Sequence, residues 1–262
     1  MERRIVLKNI AGAAALCPTC ISLASAFAEE KEKSADHASG PPHWSYKGEE
    51  GPEHWGELSP AFRVCDLGVQ QSPIDLTASI PSSLAGISID YRPTTAKVVN
   101  NGHTIQVNCD PGSSINLDGT TFHLLQYHFH HPSEHLLSGR NFDLEAHFVH
   151  AADDGTLAVL GVFVQPGAHS EALAPVWSVM PRAAGEARGG VVQPADLLPA
   201  DRTHFRYFGS LTTPPCSQKV IWSVFRKPVE MSVEQVRQFA SIFPMNARPV
   251  QQLNRRMLLT AS

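Results

Sequence analysis

Charge of one sign, repeats and long apolar runs are all scarce in this chain of 262 residues. Charged residues make up 18% and the formal net charge is −4, with no like-charged block beyond short N-terminal runs. That balance excludes a nucleic-acid footprint and a polybasic membrane patch. No internal repeat, low-complexity tract or convincing linker divides the chain, so a single domain is expected. Stable membrane insertion is excluded as well. Ile10 to Phe27 is mostly small and apolar, but Pro18 interrupts a run already short for a bilayer. Hydrophobic residues account for 42%, enough to bury a core without dense cross-linking.

The apolar run reads as a targeting segment. Arg3, Arg4 and Lys8 form a basic start, and Ala26-Phe27-Ala28 offers an A-x-A cleavage site. Residues 1–28 are therefore an expected signal peptide, and the protein is expected to be exported, periplasmic or secreted. The route is Sec or twin-arginine, because Arg3-Arg4-Ile5-Val6-Leu7-Lys8 also fits the latter pattern. Residues 29–40 are polar and read as a disordered leader; order should begin near Pro41 and continue to 262. Cysteine is sparse: of five, Cys17 and Cys20 lie in the targeting segment. Among Cys65, Cys109 and Cys216, two should pair in an oxidising compartment.

Strand patterns dominate the rest, at Ile87–Tyr91, Ala96–Asn100, Thr104–Cys109, Phe122–Phe129, Leu144–His150, Ala158–Gln165 and Lys219–Phe225. Gly185 to Gly190 reads as a surface loop. Helical patterns are few. Ser170–Met180 places Leu173, Val176, Trp177 and Met180 on one face, and Ser232–Phe243 opens with a capping box from Ser232 to Gln235. Several strands with helices at the margin imply a mainly β, sheet-centred single domain with peripheral helices.

Thirteen histidines are present, and two segments give some of them meaning. Side chains alternate faces along a strand. In Gln126-Tyr127-His128-Phe129-His130, residues 126, 128 and 130 share one face. In Asp143-Leu144-Glu145-Ala146-His147-Phe148-Val149, residues 145, 147 and 149 do. Pairing the two strands gathers His128, His130 and His147 on one surface and excludes His131 and His150. Three histidines with no fourth protein ligand suit a catalytic zinc, whereas structural zinc sites are closed by four ligands. Gln126 and Glu145 stand ready to accept a proton from the free ring nitrogen of a ligand and fix its tautomer.

These segments, with Ser133-Glu134-His135, resemble the metal signature of the α-carbonic anhydrases. Matches extend across nearly the whole chain after the leader. They include His43-Trp44-Ser45-Tyr46, Gly51-Pro52-Glu53-His54-Trp55, Gln71-Ser72-Pro73-Ile74-Asp75 and Asn100-Asn101-Gly102-His103. Gly209-Ser210-Leu211-Thr212-Thr213-Pro214-Pro215-Cys216 and Asn246-Ala247-Arg248-Pro249 complete the series. The resemblance implies a large, twisted, mostly antiparallel sheet with Zn2+ at the base of a conical cavity, held by His128, His130 and His147 and backed by Gln126, Glu145 and Asn246. It implies reversible hydration of carbon dioxide to bicarbonate and a proton, through attack by zinc-bound hydroxide. Thr212 would accept from that hydroxide and donate to Glu134, and Thr213 would help seat bicarbonate. Val149, Val159, Leu211 and Trp222 would form the apolar substrate wall. Cys65 and Cys216 match the disulfide of exported bacterial members, which leaves Cys109 free. His131 and Ala247 depart from animal members, where tryptophan is common at both places.

The proton product sets a further requirement. An acid of pKa 7 sheds protons to bulk water at roughly 10³ s⁻¹ if recombination runs at ~10¹⁰ M⁻¹s⁻¹, whereas fast enzymes of this type reach about 10⁶ s⁻¹. A histidine is well matched to carry the proton out. His103 sits where the family has its shuttle, and Tyr46, Asn101 and Gln106 match residues that order the intervening waters. Two rivals remain at this level: a non-catalytic binding module, whose members have usually lost a zinc histidine, and a zinc esterase, for which no acyl pocket is evident. A homodimer is compatible with the sequence.

Overall fold

The computed structural model describes residues 42–261. The signal peptide and leader expected over 1–40 lie outside them. Thirteen strands occur among the described residues. The first five are β1 (Ile80–Ser82), β2 (Ser88–Asp90), β3 (Thr94–Asn100), β4 (Ile105–Asn108) and β5 (Ser114–Leu117). The long central ones are β6 (Thr120–His130), β7 (Leu144–Ala151) and β8 (Leu157–Pro166), followed by β9 (Gly185–Val192). The last four are β10 (His204–Ser210), β11 (Gln218–Phe225), β12 (Val229–Met231) and β13 (Leu259–Ala261). All belong to one sheet whose main path runs β1-β13-β10-β11-β8-β7-β6-β4-β3-β9. Most pairings are antiparallel; β1 with β13, and β8 with β11 and β12, are parallel.

The centre of this sheet is buried on both faces. Every residue of β7 but the last is buried. One face carries Tyr127, Phe129, Ala146 and Phe148 into the main core, where Phe129 meets Trp177 and Phe239 edge-on at 4.9 and 6.1 Å between ring centroids. The other face carries residues 126, 128, 130, 145 and 147. Large aromatic burial on the first face stabilises the strands, by roughly 2–3 kcal/mol per side chain, and so fixes the position of the second. His150 belongs to the core side: its Nδ1 donates to the Ala158 carbonyl at 3.1 Å and its Nε2 pairs with the Tyr91 hydroxyl at 2.7 Å. Burial pushes this ring down to a pKa of about 4.

Two expectations need correction. Residues 185–190 are not a loop but most of β9, an edge strand paired with β3. Its exposed residues carry no hydrophobic alternation, because ladder hydrogen bonds need none. Gly189 is required there: a Cβ would meet the Pro175 carbonyl oxygen at 2.3 Å. The helix expected over Ser170–Met180 is broken into a 3-10 turn, Glu171–Leu173, and a single α-turn, Ala174–Trp177. Pro175 cannot donate and confines the helix to its first turn, although Leu173, Val176, Trp177 and Met180 are all buried. The later helix forms over Val233–Ala240 with both capping-box bonds from Ser232 and Gln235. No helix among the described residues is long and apolar enough to cross a membrane.

Candidate metal centre and active-site cavity

Register brings the three imidazoles together. In the β6–β7 ladder Gln126 faces Val149, His128 faces His147 and His130 faces Glu145. The one irregularity, between Leu124 and Gln126, comes before this stretch and leaves the parity of 126–130 intact. One nitrogen from each of His128, His130 and His147 lies within 4.8 Å of the others. His131 is outside the cluster, its Nδ1 donating to the Pro244 carbonyl at 2.9 Å.

Two of the rings are held by a hydrogen bond at the second nitrogen, and the third has a carboxylate oxygen beside it. His128 Nδ1 donates to Gln126 Oε1 at 2.8 Å, and His130 Nδ1 to the Asn246 carbonyl at 2.7 Å. His147 Nε2 lies 3.0 Å from Glu145 Oε1, which leaves its Nδ1 to face the cluster. Burial holds His128 and His147 below the ordinary histidine range and brings His130 to about 4. The neighbouring rings reinforce this, and the Asn246 carbonyl opposes it at His130. The donors are thus neutral imidazoles, the form that binds metal. His130 Nε2 and Glu134 Oε2 are buried without a hydrogen-bond partner. Three neutral nitrogens, an orphan among them, fit a metal ion.

Two carboxylates are fully enclosed behind the rings. Burial raises Glu134 to about 7 against the lowering effect of His147, the Arg248 N–H and Thr212. Its Oε1 accepts from Arg248 N at 2.8 Å, and its Oε2 is 3.5 Å from His130 Nε2. Burial would raise Glu145 too, but His135 and His147 hold it well below the usual range. Gly161, opposite His147 in β8, makes room for this carboxylate: a Cβ there would stand 3.0 Å from Glu145 Oε1.

A cavity of about 240 Å³ opens over the cluster. Its wall includes Val149, Val159, Leu211 and Trp222, and Thr212 and Thr213 lie beside them. The Trp222 ring nitrogen donates to the Ser210 carbonyl at 2.9 Å and anchors the loop carrying the threonines. Tyr46, Asn101, His103 and Gln106 line the outer part. Asn101 Oδ1 accepts from the backbone N–H of His103 and Thr104 at 3.0 Å each, so it shapes the turn. Asn246 ties that turn to β6: its Nδ2 donates to the His103 and Phe129 carbonyls at 2.9 and 3.0 Å. A roomier cleft of about 760 Å³, lined in part by Asp201, Arg226 and Lys227, has no comparable gathering of imidazoles. All the proposed wall, shuttle and ligand residues therefore meet at one place, while Glu134, Glu145 and Asn246 stand behind it.

Several contributors escape sequence reasoning. Trp44 stacks flat on His103, with centroids 3.7 Å apart and planes 6° from parallel. His103 is half-buried, and this lowers its pKa. Gly161 and the Arg248 N–H carried no local signal. Cys65 and Cys216 form the disulfide, and Cys109 is free.

A family model described as eukaryotic-type carbonic anhydrase matches residues 50–262. The chain belongs to this family, the α-type carbonic anhydrases. Reversible hydration of carbon dioxide is the family's reaction, and the family's members are metalloenzymes. A carbonic anhydrase of Nostoc sp. is 44% identical over 227 residues, covering 84% of this chain and 86% of the relative. One from Pectobacterium carotovorum is 42% identical over 221 residues, covering 83% and 90%. Among solved structures, the α-carbonic anhydrase from Thermovibrio ammonificans in complex with sulfanilamide is 46% identical with a TM-score of 0.82, covering 84% of this chain and all of that one. Dioscorin complexed with ascorbate is also similar, at 32% identity and a TM-score of 0.77, covering 83% and 97%.

Proposed function

We propose that this chain is an exported, zinc-dependent carbonic anhydrase with His128, His130 and His147 as metal ligands and His103 as its proton shuttle. The observation that carries this reading is the convergence of three neutral imidazole nitrogens beside a buried, unpartnered carboxylate oxygen. When bound, zinc acts as a Lewis acid that makes hydroxide available near neutral pH, for which carbonic anhydrase is the established example.

The chain's own residues supply the rest. Gln126, Glu145 and the Asn246 carbonyl fix the ring tautomers. The Arg248 N–H engages Glu134 Oε1 and leaves Oε2 for the Thr212 proton. A Thr212 hydroxyl that donates to Glu134 can only accept from the attacking oxygen, which aims that oxygen's lone pair at the substrate. Val149, Val159, Leu211 and Trp222 offer carbon dioxide an apolar surface that water does not compete for. Thr213 helps seat bicarbonate. Tyr46, Asn101 and Gln106 order waters on the path to His103. Retention of the whole set favours an enzyme over a binding module, and the small apolar wall favours carbon dioxide over esters.

Metal content per chain and stopped-flow carbon dioxide hydration test this reading together. One zinc and rapid hydration are expected; zinc with only ester hydrolysis, or no zinc, would overturn it. The shuttle has its own signature. His103→Ala should bring turnover in dilute buffer down toward the roughly 10³ s⁻¹ set by release to bulk water, and added imidazole should restore it. A loss that is the same at every buffer concentration would remove His103 from the relay. Residues 1–28 are the proposed signal peptide, 29–40 the leader and 41–262 the catalytic domain; the disulfide and the bacterial relatives are compatible with export.

A further inference from the structure

Where β10, β11 and the chain entering β13 meet, a cleft of about 540 Å³ opens that shares no residue with the metal-site cavity. Its apolar lining comes from Phe208, Ile221, Met257 and Leu259. Phe208 and Met257 stay 59% and 67% exposed, so two large apolar side chains are left in water at one place. A second hollow of about 450 Å³, lined in part by Val69, shares Gln70, Arg255 and Arg256 with the first. The two therefore make one elongated groove. Its volume suits a small-molecule ligand.

The charge in this groove is of one sign. Arg206, Lys219, Arg255 and Arg256 line it, and among the described residues no Asp or Glu does, although the chain as a whole carries −4. Two of the four cations are already engaged. Arg206 donates to Ser223 Oγ at 2.8 Å and to Asp118 Oδ2 at 3.0 Å. Arg256 donates to the carbonyls of Leu253, Phe208 and Gln252 at 2.9, 3.0 and 2.7 Å. Lys219 and Arg255 make no ion pair with any described residue. Lys219 also stands in the left-handed region, at φ +70°, where lysine is uncommon. It is the extra residue of a bulge, since Gly209 pairs with Val220 and Ser210 with Gln218. Bulges of this kind re-aim the side chain they carry.

We propose that this groove binds a single-chain anionic amphiphile, with an alkyl chain along Phe208, Ile221 and Met257 and a carboxylate head at Lys219 and Arg255. Covering the exposed apolar side chains supplies the affinity. The one-signed lining concentrates its field on an anionic head. A second copy of this chain fits the groove poorly. Two-fold pairing sets the same patch against itself, which brings Lys219 and Arg255 toward their own counterparts with no carboxylate to offset them. The proposal is independent of the metal reading.

The test titrates laurate, below its micelle-forming concentration, into the zinc-loaded mature chain by calorimetry. One laurate per chain is expected, with a Kd on the order of 10 μM. 1-Dodecanol, which keeps the chain and lacks the charge, should bind at least about 10-fold more weakly, and acetate should not bind. Lys219→Gly with Arg255→Ala removes both charges, relieves the left-handed backbone and should weaken laurate about 10-fold. Phe208→Ser with Met257→Ser should weaken it at least as much. Both double variants should keep wild-type carbon dioxide hydration, since none of the four residues lines the metal-site cavity. Absence of laurate binding, or equal binding of 1-dodecanol, would overturn the proposal. Binding that ignores both double variants would place laurate elsewhere, the metal included, and overturn it too. So would a chain that ignores monomeric laurate and sediments only with phosphatidylglycerol vesicles. A dimer in analytical ultracentrifugation that Phe208→Ser with Met257→Ser dissociates would assign the groove to a second copy instead.

Discussion

His130→Ala is expected to abolish tight zinc binding and to reduce carbon dioxide hydration by on the order of 10⁴-fold or more. The magnitude follows from what the ligands make possible: zinc acidifies its water by roughly nine pKa units, from 15.7 to about 7, and without the ion that gain disappears. His130 is 1% exposed, with its Nδ1 already engaged by the Asn246 carbonyl. The substitution leaves that carbonyl without its donor and takes from Glu134 Oε2 one of the two rings beside it, so some loss of stability should accompany the loss of metal. His131→Ala provides the comparison one residue away. Its ring lies on the other side of the strand end, bonded to the Pro244 carbonyl, and the variant should retain zinc and most of its activity. Elemental analysis together with stopped-flow hydration checks both. Equal zinc content in the two variants would dissolve the three-histidine assignment.

Removing the disulfide should produce the largest change in stability. Cys65 and Cys216 are 151 residues apart in sequence, and opening so long a loop costs about 5 kcal/mol in the chain-entropy picture. For a domain of this size that lowers the melting temperature by roughly 10–20 °C. The consequences reach the cavity as well. The Cys65 carbonyl accepts from Arg248 Nη2 at 2.8 Å and the Cys216 carbonyl from Gln71 Nε2 at 3.1 Å. Arg248 in turn donates from Nη1 to Gln71 Oε1 and to the Ser72 carbonyl, both at 2.8 Å, and from its backbone to Glu134. Cys216 also closes the loop that carries Thr212 and Thr213, through its N–H to the Thr213 carbonyl at 2.8 Å. The Cys65→Ser, Cys216→Ser double variant should therefore lose activity at temperatures below its own melting point. Calorimetry with and without a reductant measures the stability term: reduction should shift the wild type and leave the variant unmoved. A shift worth under about 1 kcal/mol would refute it.

Alternation along two strands was sufficient to single out His128, His130 and His147 and to set His131 and His150 aside. This worked because one face of β6 and β7 is packed with Tyr127, Phe129, Ala146 and Phe148, so any slip in parity would drive the histidines into the apolar core and turn the aromatics toward the cavity. The same reasoning failed where burial does not impose a pattern. Edge strand β9 is built on Gly-Gly and exposed side chains, and β10, with its buried Arg206 and exposed Phe208, was not anticipated at all. The capping box at Ser232 was legible because it is local. Pro175 was equally visible, yet its effect was underestimated against four well-spaced apolar residues.

What the sequence by itself determined is therefore chemical and local: which residue types share a face, which loop carries Thr212-Thr213, which cysteines stand outside the targeting segment, and to which family the motifs point. Tertiary structure alone decided which nitrogen of each ring is free, that Trp44 lies flat on His103, that Gly161 clears space for Glu145, and that the Arg248 N–H reaches Glu134. These are contacts between different segments of the chain, chosen by the packing of several strands at once. No local pattern of side chains records them, because each partner satisfies its own strand equally well without the other.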